Sequence, residues 1–123
     1  MGDRVETVEG NYVFEQIDAI KKIPSRHAKI ILLLYVDLSL YTDHRSKEAH
    51  VIEEQLSRWY SKASDEDLEL IANNLSCRED YREEANKVLL HAGLEVVSQK
   101  NIEDYYLNLT KVMRREARRL FGD

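Results

Sequence analysis

Apolar residues recur every three to four positions along most of the chain, from Asn11 to Phe121. This spacing places them on one face of an α-helix and is the main sequence signal of amphipathic helices. Residues that favour turns are scarce, since the 123 residues include one proline, Pro24, and four glycines. A sheet protein with many tight turns would need more of both. The pattern therefore predicts an all-α, single-domain bundle of five to six helices.

The first ten residues lack a periodic pattern, and a regular pattern begins at Asn11. We therefore expect a mobile N-terminal arm over residues 1–10 and a single helical domain over residues 11–122. Asn11 is a suitable N-cap for the first helix, because its side chain can accept a hydrogen bond from a free backbone N–H group. The apolar stripe of this helix consists of Val13, Ile17 and Ile20.

Pro24 ends the first helix, because the residue before a proline avoids the α region. The second helix is predicted to start near Ser25 and to cover about residues 25–42. It includes the longest apolar run of the chain, residues 30–36, and is apolar on almost every side. Such a helix is typical of a buried position. We predict that it is the central helix and that its Leu33 and Leu34 are nearly inaccessible to solvent.

Capping signals predict four more helices. Ser46 can cap the third helix, and Ser-x-x-Asp at 64–67 resembles a capping box for the fourth. Ser-x-x-Glu at 76–79 is predicted to cap the fifth, and Asn-x-x-Asp at 101–104 to open the sixth. The fifth helix either ends at Gly93 or is only weakened there, and the sixth ends at Gly122. The residues expected to face inward are Ala49, Ile52, Leu56, Trp59 and Tyr60 in the third helix, Leu68, Ile71 and Leu75 in the fourth, and Tyr81, Ala85, Val88, Leu89 and Ala92 in the fifth.

The composition narrows the classes of function. Apolar residues make up 43% of the chain, charged residues 33%, and the formal net charge at pH 7 is −5. A negative net charge disfavours non-specific binding to nucleic acid or to an anionic membrane. The N-terminal residues are too polar for a signal peptide, and the longest apolar run is far shorter than the about 20 residues of a membrane span. We expect a cytoplasmic protein that does not bind membranes.

Few residues suggest metal or covalent chemistry. Cys77 is the single cysteine, which excludes an intramolecular disulfide and a cysteine-rich zinc site. It is expected just after the cap of the fifth helix, as an inert or half-buried side chain. His50 with Glu53 and Glu54 could supply two ligands on one helical face, but no second cluster has comparable spacing. We therefore expect a solvated face in which His50 pairs with a carboxylate, with no metal site and no cofactor.

One short string resembles a known family motif. Residues 45–50 form an Arg-x4-His pattern that runs from Arg45 to His50. It is similar to the motif of HEPN domains, small all-α proteins of which many are ribonucleases that pair two such motifs across a dimer. In that family the arginine holds phosphate and the histidine does acid–base chemistry, which suits a guanidinium and an imidazole. The resemblance implies a metal-independent ribonuclease, whose two side chains can converge only if Arg45 lies before the helix cap.

Charge is segregated along the chain. Residues 63–86 contain eight acidic residues and two arginines, whereas residues 111–119 contain five basic residues and one acidic residue. In the sixth helix, four arginines form a basic ridge opposite an apolar stripe of Leu109, Met113, Ala117 and Leu120. The ridge either contacts a phosphate backbone or an acidic partner, or it complements the helix dipole, because cations stabilise a helix C-terminus. Tyr105 and Tyr106 are adjacent, so one of them is expected at the surface.

These observations favour a non-enzymatic protein that acts by binding another macromolecule, and the expected partner is another protein. It would be a regulator, an inhibitor or immunity-type protein, or a small subunit of a larger assembly. The first alternative is a HEPN-like ribonuclease that uses Arg45 and His50. The second is a nucleic-acid-binding accessory protein that uses the C-terminal basic helix. Self-association into a homo-oligomer stays open in each case. The predicted partner-binding residues are Tyr105, Arg114, Arg115, Arg118 and Arg119.

Overall fold

The computed structural model describes residues 8–93 and 99–122, which form six α-helices and no β-strand. The helices are α1 (Val8–Lys21), α2 (Arg26–Ser39), α3 (Lys47–Ser61), α4 (Asp65–Cys77), α5 (Glu79–His91) and α6 (Gln99–Phe121). The prediction of an all-α bundle is thus confirmed. α6 packs against α3, α4 and α5, whereas α2 packs against α1, α3 and α4. Within the described residues, no helix combines the length and the apolar character needed to cross a membrane.

The core is formed where these helices meet, and α4 and α6 supply several of its residues. Leu68, Ile71 and Leu75 of α4 are buried, as their spacing predicted. Four of the five expected inward residues of α3 are buried as well, and the fifth, Trp59, is half-buried. α6 adds Ile102, Tyr106 and Ala117 to the same core cluster. The most extensive contacts between helices are those of α6 with α4 and with α3, so these two helices set the position of α6.

Serine caps begin three of the helices: Ser46 and Ser64 were predicted as caps, and Ser25 lies where the second helix was predicted to start. The Ser25 hydroxyl accepts a hydrogen bond from the Ala28 N–H group at 3.2 Å, and Ser46 does the same for the start of α3. Ser64 and Asp67 form a complete capping box, in which the Ser64 hydroxyl accepts from Asp67 N at 3.1 Å and the Asp67 carboxylate accepts from Ser64 N at 2.9 Å. Each cap satisfies N–H groups that have no partner inside the helix.

Two predicted caps are wrong. α4 continues through Ser76, whose hydroxyl donates to the Asn73 carbonyl at 2.8 Å instead of capping the next helix. α5 therefore begins at Glu79 with Arg78 as N-cap, and no side chain caps it. α6 begins at Gln99, so the motif at 101–104 lies inside the helix. The motif at Ser76 could not predict the start of α5, because α4 already includes this serine.

Two helices end at glycines, and the first helix begins earlier than predicted. Gly93 and Gly122 follow α5 and α6 with φ angles of +86° and +78°, so each ends a helix with the left-handed geometry that glycine tolerates. α1 begins at Val8, three residues before the predicted cap at Asn11. The predicted arm over residues 1–10 therefore overlaps α1 at residues 8–10, and residues 1–7 lie outside the described residues.

The apolar helix α2 is less buried than its composition predicts. It ends at Ser39, and Ile31 and Leu32 are completely buried. Leu33 is 37% exposed and Leu34 is only half-buried, so the prediction that both are nearly inaccessible is wrong. The reason is that α1, α3 and α4 cover only part of the circumference of α2. An apolar composition on every side does not by itself supply neighbours on every side.

Candidate functional site

The four arginines of the predicted ridge divide into two pairs. Arg114 donates from Nη1 to the Ala63 carbonyl at 3.2 Å and pairs through Nη2 with Asp65 at 2.7 Å. Arg118 donates from Nε to the Ser61 carbonyl at 2.9 Å. Both therefore bind the carboxyl end of α3 and the turn that follows it, where helix carbonyls lack partners. Hydrogen bonding and charge from Arg114 hold the pKa of the Asp65 carboxyl below its usual range.

Arg115 and Arg119 lie on the other flank of α6. Arg119 is 68% exposed and pairs with Glu116, one turn earlier, at 3.0 Å. Arg115 is exposed and has neither a hydrogen bond nor an ion pair within the described part of the chain. The basic ridge is therefore split, because neighbours along a helix point about 100° apart. Arg114 and Arg118 stabilise the fold, whereas Arg115 and Arg119 face solvent.

An open, mainly apolar groove of about 380 Å³ lies between α5 and α6. Tyr105, Val112 and Arg119 are spaced by seven residues, close to two helical turns, so the groove runs along the flank that carries Arg119. Leu109 and Val112 in its wall are 38% and 43% exposed. Its lining residues are Leu89 of α5 and Asn101, Asp104, Tyr105, Asn108, Leu109 and Val112 of α6.

The groove is open because only part of α5 is covered by the bundle. Ala85 is fully buried, and Tyr81 and Leu89 are half-buried, as predicted for the inner face. Val88 is 44% exposed and Ala92 is also exposed, so the prediction that they face the core is wrong. Val88 lies in the C-terminal half of α5 and Ala92 is its C-cap, whereas Tyr106 binds the Tyr81 carbonyl near the start of the helix. The second half of this helix therefore leaves apolar surface beside α6.

A row of aromatic rings fixes Tyr105 in the groove wall. Tyr106 is buried and donates its hydroxyl hydrogen to the Tyr81 carbonyl at 2.6 Å, and burial raises the pKa of this hydroxyl. The Tyr105 ring lies edge-on to the Tyr106 ring, with centroids 5.0 Å apart. As predicted for adjacent residues, the two rings take different directions, and Tyr105 is the half-buried member at the groove. Edge-on packing of this kind stabilises one orientation of the ring.

The residues of the HEPN-like string lie at the start of α3. Arg45 precedes the N-cap Ser46, and its backbone N–H group donates to the Asp43 carboxylate at 3.0 Å. The His50 side chain is 63% exposed, and its Nδ1 lies 3.6 Å from Oε1 of Glu53. Among the described residues, no hydrogen bond joins the side chains of Arg45 and His50. Arg45 is thus before the cap, as convergence requires, but the structure does not bring the pair into contact.

The other candidate groups for metal or thiol chemistry are dispersed. Glu54 pairs with Arg58 at 2.9 Å rather than with His50. Within residues 8–93 and 99–122, no group of three or more His, Cys, Asp or Glu side chains could hold a metal ion. Cys77 is the last residue of α4 and is exposed, so it precedes the start of α5 and is not half-buried.

The sequence predicted Tyr105, Arg115 and Arg119 as partner-binding residues but missed the aliphatic part of the same flank. Leu109 was assigned to the inner stripe, and Val112 was not considered. Their spacing of three residues, beside Tyr105 four residues earlier, was the available signal. In comparisons with protein-family models, with curated protein sequences and with solved structures, nothing matches this chain. Its function is therefore inferred from the described side chains.

Proposed function

We propose that this protein is a non-enzymatic binding protein that docks a polypeptide in the groove between α5 and α6. The groove itself is the observation that carries this proposal, because Leu109 and Val112 expose aliphatic surface in a concave wall beside Tyr105. Contiguous exposed apolar surface with a polar rim is typical of interaction sites. A regulator, an inhibitor or immunity-type protein, or a small subunit of a larger assembly would each use such a surface.

The charges around the groove favour an acidic partner surface. Arg115 and Arg119 lie at the C-terminal end of the groove flank and are exposed. Tyrosine and arginine are enriched in protein interfaces because both offer large, partly polar contacts. A phosphate backbone is a weaker fit, since Arg114 and Arg118 are engaged with Ser61 and Ala63. The two remaining arginines, Arg115 and Arg119, imply a log–log salt slope of about −2, which we expect to give no measurable nucleic-acid affinity at physiological salt.

A cross-linking experiment tests the proposal directly. Tagged wild-type protein is cross-linked in cells of its source, and the cross-linked peptides are identified by mass spectrometry. Cross-links to another chain should map to the α5–α6 flank, and Leu109→Arg should abolish them. Val51→Arg is the matched control, because Val51 is 59% exposed on α3, away from the groove. Cross-links that survive Leu109→Arg, or that map to other surfaces, would contradict the proposal.

A HEPN-like ribonuclease is the second candidate, and one observation favours it. Arg45 precedes the Ser46 cap, so its side chain is not held at the helical angle that would separate it from His50. Purified protein should then cleave single-stranded RNA in excess EDTA, and His50→Ala should abolish cleavage without loss of helix. His44→Ala is the control, because His44 is an exposed histidine outside the motif. Cleavage that is lost only in His50→Ala would replace the binding proposal with this one.

A further inference from the structure

We infer that the groove between α5 and α6 binds a second copy of this chain, with the two α6 helices packed antiparallel. The inference rests on the proposed function and names the partner of that site. It follows from the distribution of apolar, acidic and basic side chains along the groove flank, which is complementary to itself when the helix direction is reversed.

The centre of the flank is apolar. Tyr105, Leu109 and Val112 lie within about 60° of arc on α6. When two α6 helices are antiparallel and centred midway between Leu109 and Val112, each Leu109 lies opposite Val112 of the other copy. A two-fold interface uses the same patch twice, so this aliphatic pair occurs on both sides of the axis. The exposed aliphatic surface of each groove is thereby covered by the other.

The charges along the edge of the flank change from acidic at one end to basic at the other. Asp104, Asn108 and Arg115 lie within about 40° of arc, with the acid at one end and the base at the other. In the antiparallel register described above, Asp104 lies opposite position 117 of the second copy. Arg115 and Arg119 are each two residues from that position, an offset of about 3 Å along the helix, which a flexible arginine spans. Opposite charges therefore meet at both ends of the interface.

The reverse orientation is disfavoured by the same charges. In a parallel, two-fold pair, the edge with Asp104 and Arg115 would lie on opposite sides of the interface in the two copies, so no acid would meet a base along it. The parallel pair therefore lacks the opposite-charge contacts that the antiparallel pair makes. The pattern therefore specifies a direction as well as a contact surface.

The charged residues of the edge are available for new partners. Asp104 pairs with Lys100 at 3.2 Å, and Arg119 pairs with Glu116 at 3.0 Å. All four side chains are at least half exposed, and such surface pairs contribute little and exchange readily. In the proposed register, Tyr105 lies opposite Glu116, whose carboxylate can accept the phenolic hydrogen.

The expected dimer is weak and therefore depends on concentration. A stable interface buries about 800 Å² on each partner, whereas one helix flank of roughly four turns offers less. We expect a dissociation constant in the range of about 10–100 µM, which requires measurements up to several hundred micromolar.

Sedimentation equilibrium of the full chain tests the inference. The average mass should rise with concentration from the 14.4 kDa of the monomer towards twice that value. Leu109→Arg should weaken association at least about tenfold, whereas the control Val51→Arg should leave it unchanged. Asp104→Arg alone, and the pair Arg115→Asp with Arg119→Asp, should each weaken it about threefold to tenfold. Combining all three charge reversals should restore it, and circular dichroism checks that every variant is folded.

The outcomes separate this inference from the proposed function. A wild-type chain that stays monomeric at several hundred micromolar overturns the second copy as partner. The proposed function then still stands if cross-links to a different protein map to the groove and disappear in Leu109→Arg. A dimer that survives Leu109→Arg, or charge reversals whose combination does not restore association, overturns the antiparallel register.

Discussion

The hydroxyl of Ser25 donates a hydrogen bond to the carboxylate of Asp67, so one acidic residue joins the N-terminal caps of α2 and α4. The same carboxylate also accepts from the backbone N–H group of Ser64 at 2.9 Å. Burial alone would raise the pKa of the Asp67 carboxyl, but the hydrogen bonds from Ser25 and Ser64 outweigh burial and lower it. The negative charge also lies at the positive ends of two helix dipoles.

Replacing this carboxylate should therefore destabilise the protein. Asp67→Asn should lower the free energy of unfolding at pH 7 by about 1–3 kcal/mol, because the amide nitrogen would face one of two hydrogen-bond donors. The matched control is Glu66→Gln, an exposed acid in the same turn, which should change it by less than about 0.5 kcal/mol. Urea unfolding of both variants measures the difference.

The effect of Asp67 should also depend on pH. Its folded-state pKa lies below the unfolded value of about 3.9, so its stabilisation is complete above that value and is lost as the pH falls through the folded-state pKa. The difference between wild type and Asp67→Asn should therefore be constant from about pH 6 to 8 and shrink below about pH 4. If the difference stayed constant down to about pH 2.5, the charge of Asp67 would not be its source.

The hydrogen-bonded pair of Tyr35 and Tyr60 predicts which of two substitutions is more costly to stability. The Tyr35 and Tyr60 hydroxyls lie 2.7 Å apart, and Tyr35 donates onward to the Met113 sulfur at 3.4 Å. Tyr60 is completely buried, and burial raises the pKa of both hydroxyls. Tyr35→Phe leaves the Tyr60 O–H group without a partner and should cost about 1–3 kcal/mol.

The reciprocal substitution should cost less. Tyr60→Phe removes a donor but leaves Tyr35 bonded to Met113, so we expect a loss of about 0.5–1.5 kcal/mol. Thermal unfolding of the two single variants and the double variant gives the coupling between them. A larger cost for Tyr60→Phe than for Tyr35→Phe would show that Tyr35 donates to Tyr60 instead.

The two pairs of arginines on α6 should behave differently. Arg118→Gln removes the donor to the Ser61 carbonyl, and Arg114→Gln removes one donor to the Ala63 carbonyl. Because Ser61 and Ala63 are buried, each substitution should lower the free energy of unfolding by about 1–3 kcal/mol. Arg115→Gln, the solvent-facing control, should stay within about 0.5 kcal/mol of wild type. Similar values for all four arginines, measured by denaturant unfolding, would instead support simple dipole complementarity.

Neighbouring leucines of α2 provide a test of the packing. Leu32 is completely buried, whereas Leu33 is 37% exposed. Leu32→Ala should therefore cost about 2–5 kcal/mol, and Leu33→Ala less than about 1.5 kcal/mol, since little cavity forms at a partly solvated site. Chemical denaturation of both variants measures the two losses in the free energy of unfolding. A cost at Leu33 as large as that at Leu32 would mean that α2 is covered on both sides.

Much of the fold could be predicted from local patterns. Pro24 separates α1 from α2, and the serines at 25, 46 and 64 begin α2, α3 and α4, because a side-chain cap acts within a few residues of itself. The predictions failed where two helices compete for one motif. Ser76 suits a cap, but α4 extends past it, and α5 instead follows Arg78, whose guanidinium lies over the Tyr81 ring, 4.1 Å away.

In the candidate site, too, some features follow from the sequence and others only from the packing of the helices. The sequence by itself determined that α6 is amphipathic and that Tyr105, Arg115 and Arg119 share a flank, because their spacing places them within about 80° of arc. It also determined that Arg114 points about 100° away from Arg115. Only the tertiary structure decided that α3 ends beside Arg114, which occupies that side of the ridge. Periodicity sets the direction of a side chain, whereas the neighbouring helices decide whether it meets a carbonyl, the core or solvent.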